Sequence, residues 1–417
     1  MLSAHHLLLR VAVTQEHVES TALRDRHLHV VPTAGCAGRH RVPQDVATTI
    51  FGEGIAKGRS DVVGGAHHAC VAASALHESA VQKLFEVKGR QPGQAFALAV
   101  RSADEALDYL PGMSSLAMRL ARRCWPGPMT LVVDVEHPDS LLGRIPQRAR
   151  ELVAPLGTVG LRVPAHPIIH NVLRLAVGPL VLTSANKAGE PDAVTAAEVV
   201  NSVGNDVALV IDDGRCKFAQ PSSVVRVRGQ SYYVLRHGVI VESTLRRLAS
   251  YILLLVCTGN TCRSPMAEVL MRKRFAEKLG CKLEELEDRG VMIMSAGIAA
   301  MAGGRATVEA NEAVKAWGLD LTSHESQPLS DRLVRFADTI LTMTRGHRDA
   351  ILSHWPDASM RTRLLSANQQ DIGDPIGGPQ ELYRRCCEQI DSQIVEWLNH
   401  FDVACLPQLS TETPPKN

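Results

Sequence analysis

The chain has 417 residues, 45% of them hydrophobic and 21% charged, which describes ordinary globular material long enough for two or three domains. A net charge near +1 leaves no chain-wide electrostatic footprint for nucleic acid or an anionic membrane, and 4% aromatics put the core on Val, Leu, Ile and Ala. Ten scattered cysteines make no disulfide scaffold, and LLLR is too short for a signal peptide. No run approaches the ~20 apolar residues of a membrane helix, so a cytoplasmic location with free thiols and no membrane partner is expected.

In chain order, residues 1–42 show no sustained periodicity and read as a poorly ordered or diverged extension. Eight of the seventeen histidines (His5, His6, His17, His27, His29, His40, His67, His68) fall in the first 70 or so residues, without the close His and Cys spacing of a zinc module. Residues 43–242 read as a mixed α/β domain, its pattern regular from about Ala72. SALHESAVQKLFEVKGR has apolar residues at helical spacing and ends on a basic turn. TLVVDV, TVGLRVP, PLVLTSAN, ALVIDDG, SSVVRVRG and YYVLRHGVIV are β-rich runs bounded by Gly, Pro, Asn or Asp, with helical SSLAMRLARRCW and AAEVVNSVG between them.

Residues 243–250 are charged and polar and read as a linker. Residues 251–402 then alternate strand and helix: YILLLV, PMAEVLMRKRFAEKLG, VMIMSAG, TVEANEAVKAWG, TILTMT, GHRDAILSHW, RTRLLS and a last amphipathic helix from about Glu381 to His400. That alternation predicts a doubly wound parallel sheet. Residues 403–417 end Pro- and Thr-rich and read as a flexible tail. No internal repeat relates the two α/β units.

The loop CTGNTCRS sits between YILLLV and a helix that begins SPMAE. Two cysteines so close admit a metal site, a redox pair, or a nucleophile with a neighbour. Zinc needs two further ligands, and the next cysteine, Cys281, stands alone, so no metal site is assigned. A strand–loop–helix turn aims backbone N–H groups at one spot and adds the helix dipole, a nest for a phosphate-sized anion. Cys257 opens the loop and would lie at the floor of that nest, held as thiolate by the amides and Arg263. The planar fork of Arg263 suits two phosphate oxygens. Ser264 can hydrogen-bond the sulfur, and Pro265 reads as the first helical residue. Thr258, Gly259, Asn260, Thr261 and Cys262 complete the loop. Cys262 is either a small buried filler or a resolving thiol that pairs reversibly with Cys257 on oxidation.

The C-x5-R-S spacing after an apolar strand resembles the low-molecular-weight protein tyrosine phosphatase family, over about residues 250–402. The resemblance implies an Asp-Pro general acid near the C-terminal end, which DIGDPIGGP supplies as Asp374 and Pro375. It also implies attack by Cys257 on phosphorus, protonation of the leaving atom by Asp374, and hydrolysis of a cysteinyl-phosphate without metal or cofactor. SAGI at 295–298 and LTMT at 341–344 are similar to family strand ends. Tyrosine-specific members commonly carry a bulky aliphatic residue before the second cysteine and an aromatic residue after Asp-Pro. Here those places hold Thr261 and Ile376, then Gly377 and Gly378, which resembles the bacterial protein-arginine phosphatase branch. Loss of the aromatic wall removes a stacking surface for a phenol, and a Thr hydroxyl suits a polar guanidinium. Phosphoarginine on proteins is the favoured substrate, with phosphotyrosine the alternative.

Upstream, KGR, WPGPMT, GLRVP, TSAN, PSSVV and LRHG occur in an order that resembles the YrdC-like threonylcarbamoyl-adenylate synthases, over about residues 43–242. The family's K-x-R…S-x-N signature falls on Lys88, Arg90, Ser184 and Asn186, and Thr130, Ser222 and Arg236 match further ligand-contacting positions. The resemblance implies ATP, L-threonine and bicarbonate as substrates, on the way to a modified tRNA adenosine. Lys and Arg would neutralise triphosphate charge, while hydroxyls and amides orient a small zwitterion. Family members carry a Pro-Thr-Glu-Thr-x-Tyr-Gly-like segment where this chain has VVGGAHHACVAASAL, just before what reads as the AASAL helix entry. Weak or absent synthase activity is the expectation, and a non-catalytic nucleotide- or double-stranded-RNA-binding domain is the alternative.

Overall fold

The structure, a computed structural model, describes residues 29–31, 48–51 and 69–409 except 92, 136, 208, 213–214 and 217–219. The histidine-rich stretch apart from its two strands, and the segment at 62–68 that departs from the synthase pattern, lie outside the described residues. Residues through Glu242 form one compact unit and Ser243–Leu409 another.

The first unit contains β1 (His29–Val31), β2 (Thr48–Phe51), β3 (Cys70–Ser74), α1 (Glu78–Lys88), β4 (Ala97–Ala99), α2 (Ala103–Tyr109), α3 (Ser115–Cys124) and β5 (Met129–Asp134). It continues with α4 (Gln147–Val153), β6 (Thr158–Arg162), α5 (Pro167–Leu175), β7 (Leu180–Ser184), α6 (Ala196–Val203), β8 (Leu209–Asp212), β9 (Ser223–Arg228) and β10 (Ser231–Arg236). These strands lie in the order β1-β8-β2-β3-β7-β4-β6-β5-β9-β10. Pairs β2–β8, β4–β6 and β5–β9 are parallel and the rest antiparallel, so the sheet is mixed. Strand β1 lies inside the stretch expected to be an extension and pairs with β8, His29 opposite Asp212. AASAL does not open a helix: β3 runs to Ser74, and α1 starts three residues after Ala75, following a turn. α1 ends where Gly89 turns left-handed (φ 57°) and its N–H caps the Glu86 and Phe85 carbonyls, a conformation glycine reaches without strain.

Helix α7 (Glu242–Ala249), all but its first residue in the second unit, replaces the expected linker because Leu245 and Ala249, four apart, are buried on one face. Then follow β11 (Tyr251–Cys257), α8 (Arg263–Leu279), β12 (Val291–Gly297), α9 (Val308–Lys315), α10 (Asp331–Phe336), β13 (Thr339–Thr342), α11 (Arg345–His354), β14 (Thr362–Leu364) and α12 (Gln380–Asn399). The four strands are parallel in the order β12-β11-β13-β14. Every residue of β11 is buried, and its side chains alternate between two cores. Leu253, Leu255 and Cys257 join the core under α8, α9 and α12, while Leu254 and Val256 join the one under α10 and α11. The period-2 alternation of a strand therefore fixes which face Cys257 reaches. Helical turn Val403–Cys405 and Leu406, buried in the first of these cores, extend this unit past the expected end at 402, so the stretch 403–409 is not a loose tail. Among the described residues no helix is long and apolar enough to cross a membrane.

Candidate active sites

In the second unit the loop between β11 and α8 is wrapped around the Cys257 sulfur. The Asn260 amide donates to Cys257 Sγ at 3.2 Å, and Ser264 Oγ lies 3.0 Å from it. Asn260 has positive φ (55°), and its side chain makes the turn worthwhile. Nδ2 donates to Ser264 Oγ (2.9 Å) and Ser295 Oγ (2.8 Å), while Oδ1 accepts the Gln327 amide (2.9 Å). Ser295 in turn donates to Glu268 (2.6 Å), whose carboxyl burial pushes above the usual range. Gly297, at the end of β12, lets this loop come close. A Cβ there would stand 2.4 Å from the Thr258 carbonyl oxygen and 2.9 Å from the Asn260 nitrogen.

Arg263 is the first residue of α8 and is buried. Its guanidinium donates to Asp374, to the Ile372 carbonyl (3.1 Å) and to Thr258 Oγ1 (3.4 Å). Asp374 stands in the loop between β14 and α12 with 38% of its side chain exposed, and also accepts the Ile376 amide (3.2 Å). Pro265 is the third residue of the helix and not the first, because Cys262 is the cap; the first-turn amides lack helical partners at either place. Thr261 is half-buried with Oγ1 against Cys262 Sγ (3.7 Å), and its carbonyl accepts the Thr307 amide (2.9 Å). Cys262 is buried near Thr307 Oγ1 (3.6 Å) and Tyr383 Oη (3.7 Å). Gly259 is half-buried at the loop tip. The structure thus gathers the predicted residues into two hydrogen-bonded groups on one loop, Cys257 with Asn260 and Ser264, and Arg263 with Thr258 and Asp374.

Sequence reading missed His347. It is buried on α11 with Nε2 2.9 Å from Thr258 Oγ1 and Nδ1 3.0 Å from Thr344 Oγ1. Burial first, and the nearby Arg263 charge second, pull its pKa down to about 4, so the ring is neutral near pH 7.

In the first unit, Lys88 closes α1 and reaches the end of β7. Its ammonium donates to the Ser184 carbonyl (2.9 Å), to Asn186 Oδ1 (2.9 Å) and to the Asn186 carbonyl, and Ser184 Oγ donates to Asn186 Oδ1 (2.5 Å). Arg90 donates to Thr183 Oγ1 (3.1 Å) and to the Ala95 carbonyl, and stacks over the Phe96 ring at 4.2 Å. Arg236, ending β10, clasps Ser222 through its carbonyl (2.9 Å) and Oγ (3.0 Å), and Thr130 Oγ1 lies 3.5 Å from Ser222 Oγ. Arg90, Thr130, Ser184, Ser222 and Arg236 line one cavity of about 160 Å³. A further cation lines it that the motif reading passed over, Arg162 at the end of β6, with 5% exposure. The arginine of the GLRVP motif is the sequence signal for it. Crowding of buried cations is visible in their acidities. Burial, then Arg90, lowers Lys88 to about 8, and burial, then Arg236, lowers Arg90 to about 10. Burial also lowers Arg236. A site that leaves its cations so poorly solvated suits a polyanion.

Comparison with known proteins divides the chain at the same place. The family model described as telomere recombination (Sua5, YciO, YrdC) matches residues 70–238, and that of low molecular weight phosphotyrosine protein phosphatases matches residues 252–405. A protein-arginine-phosphatase of Geobacillus stearothermophilus is 37% identical over 34% of this chain and 91% of its own length. A Ralstonia nicotianae protein provisionally named a low molecular weight protein-tyrosine-phosphatase is 33% identical over 35% of this chain and 92% of its own. A Methanocaldococcus jannaschii protein provisionally named a threonylcarbamoyl-AMP synthase is 32% identical over 42% of this chain and 78% of its own.

Proposed function

The chain belongs to two families at once, the Sua5/YrdC family in its first unit and the low molecular weight protein phosphatases in its second, and from this premise we propose a cysteine-dependent phosphatase that acts on protein phosphoarginine. The observation that carries the proposal is the pairing at Cys257 Sγ, with the Asn260 amide at 3.2 Å and Ser264 Oγ at 3.0 Å, beside an Arg263–Asp374 pair. In the first step Cys257 Sγ forms a bond to phosphorus while the P–N bond breaks, and Asp374 gives its proton to the leaving nitrogen. Arg263 and the loop amides hold the phosphoryl oxygens as charge moves onto them. In the second step Asp374 takes a proton from water, the water oxygen bonds to phosphorus, and sulfur departs as thiolate steadied by Ser264 and the Asn260 amide. The substrate preference rests on Thr261 and Ile376, where neither an aliphatic packing residue nor an aromatic wall meets a phenol. Acid quenching during turnover of a phosphoarginine protein, followed by mass spectrometry, should find phosphate on Cys257. Undiminished hydrolysis by Cys257→Ser would sink the mechanism.

For the first unit, the convergence of Lys88, Arg90, Arg162 and Arg236 on one region supports binding of a nucleoside triphosphate. Synthase turnover is expected to be weak, because the segment before Val71 carries none of the family's residues. Threonine- and bicarbonate-dependent release of pyrophosphate from ATP is the assay, and family-like rates would overturn this reading.

A further inference from the structure

Among the described residues Arg263 donates to three partners, and one of them, Asp374, must turn to the leaving atom if it is to donate a proton. What then keeps the guanidinium in the plane that grips two phosphoryl oxygens is the Ile372 carbonyl and Thr258 Oγ1. A guanidinium only donates, so the Thr258 oxygen accepts from it. The Thr258 hydroxyl hydrogen is then free to point at His347 Nε2, 2.9 Å away.

Two proton arrangements fit these distances, with the imidazole hydrogen on Nδ1 or on Nε2. The positive charge of Arg263 selects the first, in which an Nε2 lone pair and not an N–H faces the guanidinium side. Nδ1–H then donates to Thr344 Oγ1 at 3.0 Å, and Thr344 is itself fixed as the cap of α11 by accepting the His347 amide (3.2 Å). Helix α11 thereby supports the phosphate loop through a one-directional chain: Arg263 to Thr258 to His347 to Thr344. Asp371 and Asp374 are the acidic groups whose charges reach His347, opposing Arg263.

We propose that His347 is a positioning residue that, through the Thr258 hydroxyl, holds Arg263 in its phosphoryl-gripping orientation when Asp374 leaves it. This rests on the Cys257-dependent phosphatase reading.

The full chain is assayed with para-nitrophenyl phosphate as wild type, Thr258→Val, His347→Phe and the double variant, with His347→Gln as the conservative replacement whose amide oxygen can still accept from Thr258. Each single loss should lower kcat roughly tenfold with KM changed less than about threefold. The double variant should fall no more than about threefold below either single, because both break one chain. His347→Gln should recover most of the rate. Nitrogen-15 NMR of wild type should show the proton on Nδ1. Losses that multiply in the double variant, or a proton on Nε2, would overturn the proposal while leaving the phosphatase reading intact. Absence of turnover in wild type would overturn both.

Discussion

The two units carry candidate anion sites built on opposite plans. In the phosphatase unit the candidate residues come mostly from eight consecutive positions, Cys257 to Ser264, with the Asn260 amide turned to the Cys257 sulfur and one arginine at the start of α8. In the synthase-like unit the charge comes from side chains 148 residues apart, from Lys88 at the end of α1 to Arg236 at the end of β10. A loop of amides is neutral and needs no counter-ion when empty. Clustered cations repel one another and lose solvation, as the lowered pKa values of Lys88 and Arg90 record. The first plan suits a covalent step at a fixed sulfur, the second a large polyanion that arrives with its own charge.

The sharpest way to break this contrast is at the sulfur. Cys257→Ser should abolish phosphate release, by on the order of 10⁴-fold or more, with the fold retained by circular dichroism. Asp374→Asn should cost about 10²–10⁴ in kcat on phosphoarginine. The loss should be much smaller on para-nitrophenyl phosphate, whose leaving group needs little protonation, and equal losses would remove Asp374 from the acid role. In the other unit, Arg236→Ala should weaken ATP binding roughly tenfold or more by calorimetry, since a charge-assisted contact is worth about 1.5–3 kcal/mol. An unchanged affinity would mean that the cavity is not the nucleotide site.

The smallest effect is on pH. Lys88 is lowered to about 8 from an ordinary 10.5. Between those values the unfolded chain binds a proton that the folded chain does not, so stability contributed at this residue rises with pH across the window. ATP affinity should move the other way, falling as pH passes about 8 and the ammonium is lost. Lys88→Met should flatten both profiles.

Much of the phosphatase unit was legible because its signals are local. β11 alternates apolar residues into two cores, and the loop follows it without interruption. What was not legible depends on partners far along the chain. His347 meets Thr258 across 89 positions, and no window around MTRGHRD contains the reason for its neutrality. Arg162 looked like an ordinary strand end until the cavity gathered it with Arg90 and Arg236. The sequence of α7 reads as a linker because its polar residues outnumber the two buried ones, yet Leu245 and Ala249 at helical spacing decide the matter. Leu406 was similarly hidden beside a Pro- and Thr-rich end.

The central claim, that phosphate leaves from arginine nitrogen, turns on one side chain at the loop. The direct measurement is kcat/KM on matched phosphoarginine and phosphotyrosine peptides for the wild-type chain and Thr261→Ile. The account predicts a preference for phosphoarginine that shifts toward phosphotyrosine by roughly tenfold or more in the variant, the selectivity a single packing contact confers. A wild-type preference for phosphotyrosine, or a ratio that Thr261→Ile leaves untouched, would contradict it.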